Sequence, residues 1–210
     1  MKKVSILYSP GTNCEEETSE AFRLAGARPE LVFLGDILAG KKRMADCDAF
    51  CVPGGFSFGD HIATGAVVAT LAEDFFPQLL EAGTPTIGIC NGFQILARAR
   101  MFGPGVTLGR NGSRVFCSKP TVHRVLPSNS FWTAGLEGLD LSFPSAHGYG
   151  RVVSESGLNV AMIYMGESPN GGRIAGICSE NGRVFGLMDH PERRPENEDG
   201  QLILKNVLKA

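Results

Sequence analysis

The order of strand-like and helix-like segments predicts an α/β protein with a mostly parallel, doubly wound central sheet and an antiparallel extension. Two observations carry this. Through the first ninety residues, short apolar runs alternate with helical patterns at the spacing of βα units, which argues for parallel strands with crossover helices. Beyond Val106 the chain turns into short β-prone segments broken by glycine and proline, the composition of antiparallel strands.

In order, Val4–Tyr8 reads as a buried first strand, and Ser9-Pro10-Gly11-Thr12-Asn13 as a turn-rich loop. Asn13 or Thr12 is placed to cap a helix whose first turn, Glu15-Glu16-Glu17, puts acid where the helix dipole favours it. That helix runs to about Ala25 and stops at Gly26. A second strand follows over Glu30–Leu34, then a short helix from Asp36 to Arg43 and a third strand over Ala49–Val52. Pro53-Gly54-Gly55-Phe56-Ser57-Phe58-Gly59-Asp60 is a glycine-rich loop at the C-terminal end of that strand, the edge at which open α/β sheets bind ligands. It lacks the Gly-Lys-Ser/Thr of a phosphate loop. Helical segments from Ile62 to about Leu80 return the chain to a strand over Thr84–Ile89. Further β-prone stretches cover Val106–Leu126, Leu139–Val153, Asn159–Met165 and Gly172–Met188, with Glu180-Asn181-Gly182-Arg183 as a hairpin turn. An amphipathic helix from Asp199 to Lys209 closes the chain. With no repeat or linker in 210 residues, a single domain over 1–210 is expected.

Composition narrows the function. Hydrophobic residues at 43% and charged residues at 20% are those of a chain that buries a core, and a net charge of −2 gives no electrostatic case for nucleic acid or an anionic membrane. No apolar run is long enough to span a bilayer, and Met1-Lys2-Lys3 leads directly into a strand rather than a signal peptide. Cys14, Cys47, Cys51, Cys90, Cys117 and Cys178 form no C-x-x-C pair, so free thiols in a reducing cytoplasm and no metal site are expected.

One of these cysteines stands apart. Gly88-Ile89-Cys90-Asn91-Gly92 is the cysteine form of the G-x-S-x-G nucleophile elbow, where glycines two residues to either side relieve crowding in a sharp strand-to-helix turn. The start of the following helix favours the thiolate, the reactive form. Such a nucleophile needs an imidazole and a carboxylate to orient it. Among His61, His123, His147 and His190, only His190 ends an apolar strand with an acid two residues on. In an extended segment His190 and Glu192 face the same way, and Pro191 stiffens the link between them. Asp189 is expected to point to the other side, and Arg193 and Arg194 to lie on the surface.

Gly88-Ile89-Cys90-Asn91-Gly92-Phe93-Gln94 followed far downstream by His190-Pro191-Glu192 resembles the class I glutamine amidotransferases. The glycine-rich loop from Pro53 to Asp60, Ala146-His147-Gly148, Ser168-Pro169-Asn170-Gly171, Ile174-Ala175-Gly176-Ile177 and Arg193 narrow the resemblance to the glutaminase subunits of phosphoribosylformylglycinamidine synthase. The resemblance implies a flavodoxin-like three-layer fold in which Cys90 attacks the side-chain amide of L-glutamine. His190 would act as base and then acid, with Glu192 orienting it. It further implies an oxyanion site from the backbone of Gly55 and Asn91, and substrate contacts at Gln94, Gly148 and Tyr149. The side chain of His147 is expected to be structural. No cofactor is implied for this chain; ATP and magnesium would belong to a synthetase partner, joined by a small accessory subunit. A stand-alone cysteine hydrolase of the same fold, and an amidotransferase serving another acceptor, are the alternatives.

Overall fold

The computed structural model describes residues 1–42, 47–58, 65–155, 157–193 and 198–210. The parallel half is built from β1 (Lys3–Tyr8), α1 (Glu15–Leu24), β2 (Arg28–Phe33), α2 (Leu34–Leu38), β3 (Ala49–Val52), α3 (Ala66–Leu71), α4 (Phe76–Glu81), β4 (Thr86–Ile89) and α5 (Asn91–Arg98). The rest comprises β5 (Thr107–Gly109), β6 (Cys117–Val125), β7 (Asp140–His147), β8 (Arg151–Val153), β9 (Asn159–Met165), β10 (Ile174–Cys178), β11 (Val184–Leu187) and α6 (Glu198–Leu204). Short 3-10 turns cover Phe131–Thr133 and Lys205–Lys209.

Nine of these strands form one sheet in the order β2-β1-β3-β4-β11-β10-β9-β6-β7, and β5 pairs with β8 separately. The five strands from β2 to β11 run parallel, and each pairing from β11 to β7 is antiparallel. The parallel sheet and its antiparallel extension expected from the sequence are therefore both present. The seam is β11, which the sequence groups with the extension. It pairs parallel to β4, Gly186 opposite Gly88, because the hairpin through Asn181 and Gly182 returns it alongside the elbow strand. Gly182 takes φ 70° there, the left-handed conformation that such a turn requires.

Alternate side chains of the parallel strands enter two separate cores, as a strand period of two demands. Ala49 and Cys51 of β3 face one core with Phe22 of α1, Trp132 and Ile203 of α6. Phe50 and Val52 face the other with Val68 of α3, Phe76 and Leu79 of α4 and Leu96 of α5. Each fully buried Phe or Leu here contributes about 1.5–3 kcal/mol.

Several local expectations are corrected. Neither Asn13 nor Thr12 caps α1. The N-cap is Cys14, without a side-chain cap bond, and Thr12 Oγ1 instead accepts from Ser9 N at 3.1 Å. The second strand begins two residues earlier, at Arg28, because Arg28 N bonds back to Lys2 O at 2.8 Å and carries the pairing with β1. The expected Asp36–Arg43 helix is the shorter α2, ending at Leu38 with Gly40 at φ 68°. The terminal helix becomes 3-10 after Leu204, which buries Ile203 and Val207 but leaves Leu208 outside. Arg43, the loop residues Gly59 and Asp60, the helix start at Ile62, His61 and Arg194 lie outside the described residues.

Candidate active site at the cysteine elbow

Cys90 sits between β4 and α5 with φ 52° and ψ −109°, a backbone conformation that non-glycine residues rarely adopt. Such strain costs on the order of 1–3 kcal/mol and persists where surroundings over-determine it, commonly at functional sites. Here the surroundings are close. A Cβ on Gly92 would overlap the carbonyl oxygen of Val52, and one on Gly88 would come within 2.6 Å of Leu96 Cδ1 and 2.8 Å of the Gly92 carbonyl. Both flanking glycines are thus required for the helix to pack onto the strands beneath it. Cys90 is 8% exposed, its sulfur beside the Ala146 carbonyl oxygen at 3.7 Å.

The loop after β11 brings His190 to this sulfur. Its backbone N–H donates to Pro144 O at 2.9 Å, and Nδ1 meets Glu192 Oε1 at 2.6 Å. Glu192 reaches the ring through a turn closed by Arg193 N to His190 O at 3.3 Å, not through the extended segment expected from the sequence. The cause is that the chain must bend here toward α6, and Gly200 packs directly on the carbonyl of Pro191. Both side chains are buried, and among the described residues His190 Nε2 has no hydrogen-bond partner. Burial by itself would strip the imidazole of its proton. The Glu192 carboxylate, and after it the Cys90 sulfur, outweigh burial and raise the ring's pKa above that of free histidine. The glycine-rich loop covers the ring from the other side. A Cβ on Gly54 would lie 2.8 Å from His190 Cε1 and 3.1 Å from Cys14 Sγ.

Cys14, His190 and Glu192 place possible metal-ligand atoms within 4.8 Å of one another. The set is built as a hydrogen-bonded cluster instead. His190 and Glu192 occupy each other, and Arg193 Nη2 lies 3.5 Å from the Cys14 sulfur, where its charge opposes a cation. Burial, then the Glu192 charge, pushes the Cys14 thiol up. Arg193 also pairs with Glu17 at 3.2 Å; it is a half-buried clamp onto α1, not the surface charge expected from the sequence.

Gly55 has φ 144° and bridges antiparallel to Thr12 at the edge of this cavity. Asn91 opens α5, so its backbone N–H belongs to the first-turn donors that lack an intrahelical partner. Its side chain accepts from Ser57 N at 3.2 Å and donates to Gln94 Oε1 at 3.1 Å. Gln94 Nε2 in turn donates to Tyr149 O at 2.8 Å. Gln94 therefore ties the elbow helix to the Gly148–Tyr149 segment, so both ends of its amide already hold protein partners. The Gly148 carbonyl accepts from Asn111 N at 2.9 Å. His147 Nδ1 faces Asn111 Oδ1 at 3.2 Å, and Asn111 Nδ2 donates to His147 O at 2.8 Å, so this histidine is bound into the scaffold. Burial is the main reason its pKa is lowered.

The sequence assigns no role to Asn111 or Cys14, nor to a buried group of Thr121, His123, Ser145 and Asp189, although it does turn Asp189 away from His190. Only the adjacency of Asp189 to His190, and the i,i+2 spacing of Thr121 and His123 on one strand face, hints at the last of these.

The arrangement provides a strained cysteine at a helix start, an imidazole paired with a carboxylate that favours its charged form, and backbone donors beside both. This is the equipment for acyl transfer through a thioester. A family model for the CobB/CobQ-like glutamine amidotransferase domain matches residues 1–205. Phosphoribosylformylglycinamidine synthase subunit PurQ of Thermotoga maritima is 34% identical over 98% of this chain and 96% of its own length. The PurQ subunit of Corynebacterium jeikeium is 40% identical over 98% of this chain and 96% of its own length. A chain in the solved structure of PurLQS from Thermotoga maritima superposes with a TM-score of 0.89 at 34% identity, covering 100% of this chain and 99% of that one. With its elbow cysteine and His-Pro-Glu turn in one cavity, the chain belongs to the class I glutamine amidotransferases, among the PurQ-like members of the CobB/CobQ-like family.

Proposed function

We propose that this chain is the glutaminase subunit of a phosphoribosylformylglycinamidine synthase, hydrolysing L-glutamine and passing ammonia to a synthetase subunit. The observation that carries the reading is the meeting of the strained Cys90 elbow with the buried His190–Glu192 pair, 2.6 Å apart. The sulfur of Cys90, its proton taken by His190, attacks the amide carbon of glutamine. The developing oxyanion is received by the backbone N–H groups of Gly55 and Asn91, each such donor being worth about 2.7–4 kcal/mol of barrier. His190 then protonates the departing nitrogen, ammonia leaves, and a glutamyl thioester remains on Cys90. Water, deprotonated by His190, cleaves the thioester and releases glutamate. Glu192 holds the imidazole in the tautomer that points Nε2 at the sulfur. Gln94 positions the Gly148–Tyr149 backbone, which contacts the substrate.

The chain is read as needing no cofactor or metal of its own; ATP and magnesium serve the synthetase. A cytoplasmic location is part of this reading; no helix among the described residues is long and apolar enough to cross a membrane.

Reconstitution tests this. With the synthetase and small accessory subunits, ATP, magnesium and formylglycinamide ribonucleotide, adding this chain is expected to let glutamine replace ammonia, with one glutamate formed per formylglycinamidine product. A synthetase that still requires free ammonia in its presence would point to another acceptor. Hydrolysis of simple esters with no preference for glutamine would point to a stand-alone hydrolase.

A further inference from the structure

Three successive residues of β7 meet the catalytic apparatus. Pro144 O accepts from His190 N at 2.9 Å, the Ser145 hydroxyl donates to Asp189 Oδ1, and Ala146 O lies 3.7 Å from Cys90 Sγ. Strand β7 is thus a brace shared by nucleophile and base. The middle contact is made by a completely buried carboxylate that the proposed chemistry does not use. Leaving such a charge without partners would cost several kcal/mol. Asp189 is instead surrounded by donors from two strands. Oδ2 receives His123 Nε2 of β6 at 2.8 Å, and the Thr121 hydroxyl lies 3.3 Å from Oδ1. His147 Nε2 approaches the same oxygen at 3.8 Å.

His123 is itself immobilised. Its Nδ1 faces Leu141 O at 3.2 Å, so both ring nitrogens hold partners. The ring stacks on Phe143 at 4.9 Å between centroids and leans on Tyr164 at 5.2 Å. Burial pushes the Asp189 carboxyl up, but His123 heads the partners that together bring its pKa below the usual value. Buried polar networks that are fully partnered rigidify what they join. Here they join the residue preceding His190 to the strand that also contacts Cys90.

We propose that Asp189, held by His123, Ser145 and Thr121, is a positioning residue that fixes His190 against Cys90 by locking the loop after β11 onto β7. It acts through His190 and touches neither substrate nor reacting atoms. The inference rests on the glutaminase reading above.

The test uses the assembled complex carrying Asp189→Asn, and separately the apolar pair His123→Phe with Asp189→Leu, which removes both partners of the buried pair together so that neither is left unpaired. Glutamine turnover, the rate at which a glutamine-analogue alkylator modifies Cys90, and Tm are measured beside wild type. The expected result is a kcat loss of about tenfold or more in both variants with KM within about twofold, since a near-attack geometry is lost while substrate contacts stay. Cys90 labelling slows in parallel, and the double variant recovers Tm relative to Asp189→Asn without recovering kcat. Wild-type kcat in either variant, or recovery of kcat along with Tm in the double variant, would overturn the proposal. So would failure of both variants to fold, which would make the network a folding element only. A wild-type complex that neither hydrolyses glutamine nor labels would instead overturn the glutaminase reading beneath it.

Discussion

Replacing Cys90 with Ala will lower glutamine-dependent turnover of the assembled enzyme by at least about 10⁴-fold, the scale on which removing a covalent nucleophile acts. Ammonia-dependent turnover by the synthetase will be unchanged. The reason lies in the backbone as much as in the sulfur. Positive φ at Cys90, and the contact of Gly92 with the Val52 carbonyl, aim one side chain into the cavity beside His190. The other cysteines do not substitute for it. The thiols of Cys14, Cys47, Cys51, Cys117 and Cys178 are all pushed up, chiefly by burial, which disfavours the thiolate. Parallel assays with glutamine and with ammonium as nitrogen source separate loss of the nucleophile from damage to the complex.

Glu192→Gln will lower kcat by roughly 10²- to 10⁴-fold, the range spanned by general acid–base catalysis and by loss of a triad's carboxylate. It will also move the alkaline limb of the pH profile to lower pH. The sign follows from the surroundings of His190. Burial lowers the ring's pKa, while the Glu192 charge is the foremost influence raising it. Removing that charge leaves burial less opposed, so the imidazolium is lost at lower pH than in wild type. A side chain that merely filled space would change the rate without moving the limb. The profile of kcat/KM for glutamine, measured in the complex, reports the difference.

Features set by short-range chemistry were legible in the sequence. The alternation of apolar runs and helical patterns announces β1 to α5, and the glycines around Cys90 announce its turn because no other residue fits there. His-Pro-Glu was legible as a pair, although the pair closes through a turn rather than along an extended segment. What stayed hidden depends on which strands lie side by side. Nothing near Val184–Leu187 says that β11 pairs parallel with β4, a contact made across about a hundred residues. Likewise Asp189 and His123 are 66 residues apart and become partners only once β7 stands between β11's loop and β6. The family resemblance is what marks Gln94 as a substrate contact. Its bonds to Asn91 and Tyr149 could not be seen until Gly148 and Tyr149 were brought over the elbow.

The proposed function requires Cys90 to be a nucleophile tuned for glutamine. Treating the assembled complex with a glutamine-analogue alkylator at neutral pH, and mapping the adduct by peptide mass, tests it most directly. One adduct is expected, on the Cys90 peptide, formed at a rate that glutamine suppresses by competition. An unlabelled Cys90, or labelling spread over the other cysteines and indifferent to glutamine, would contradict it.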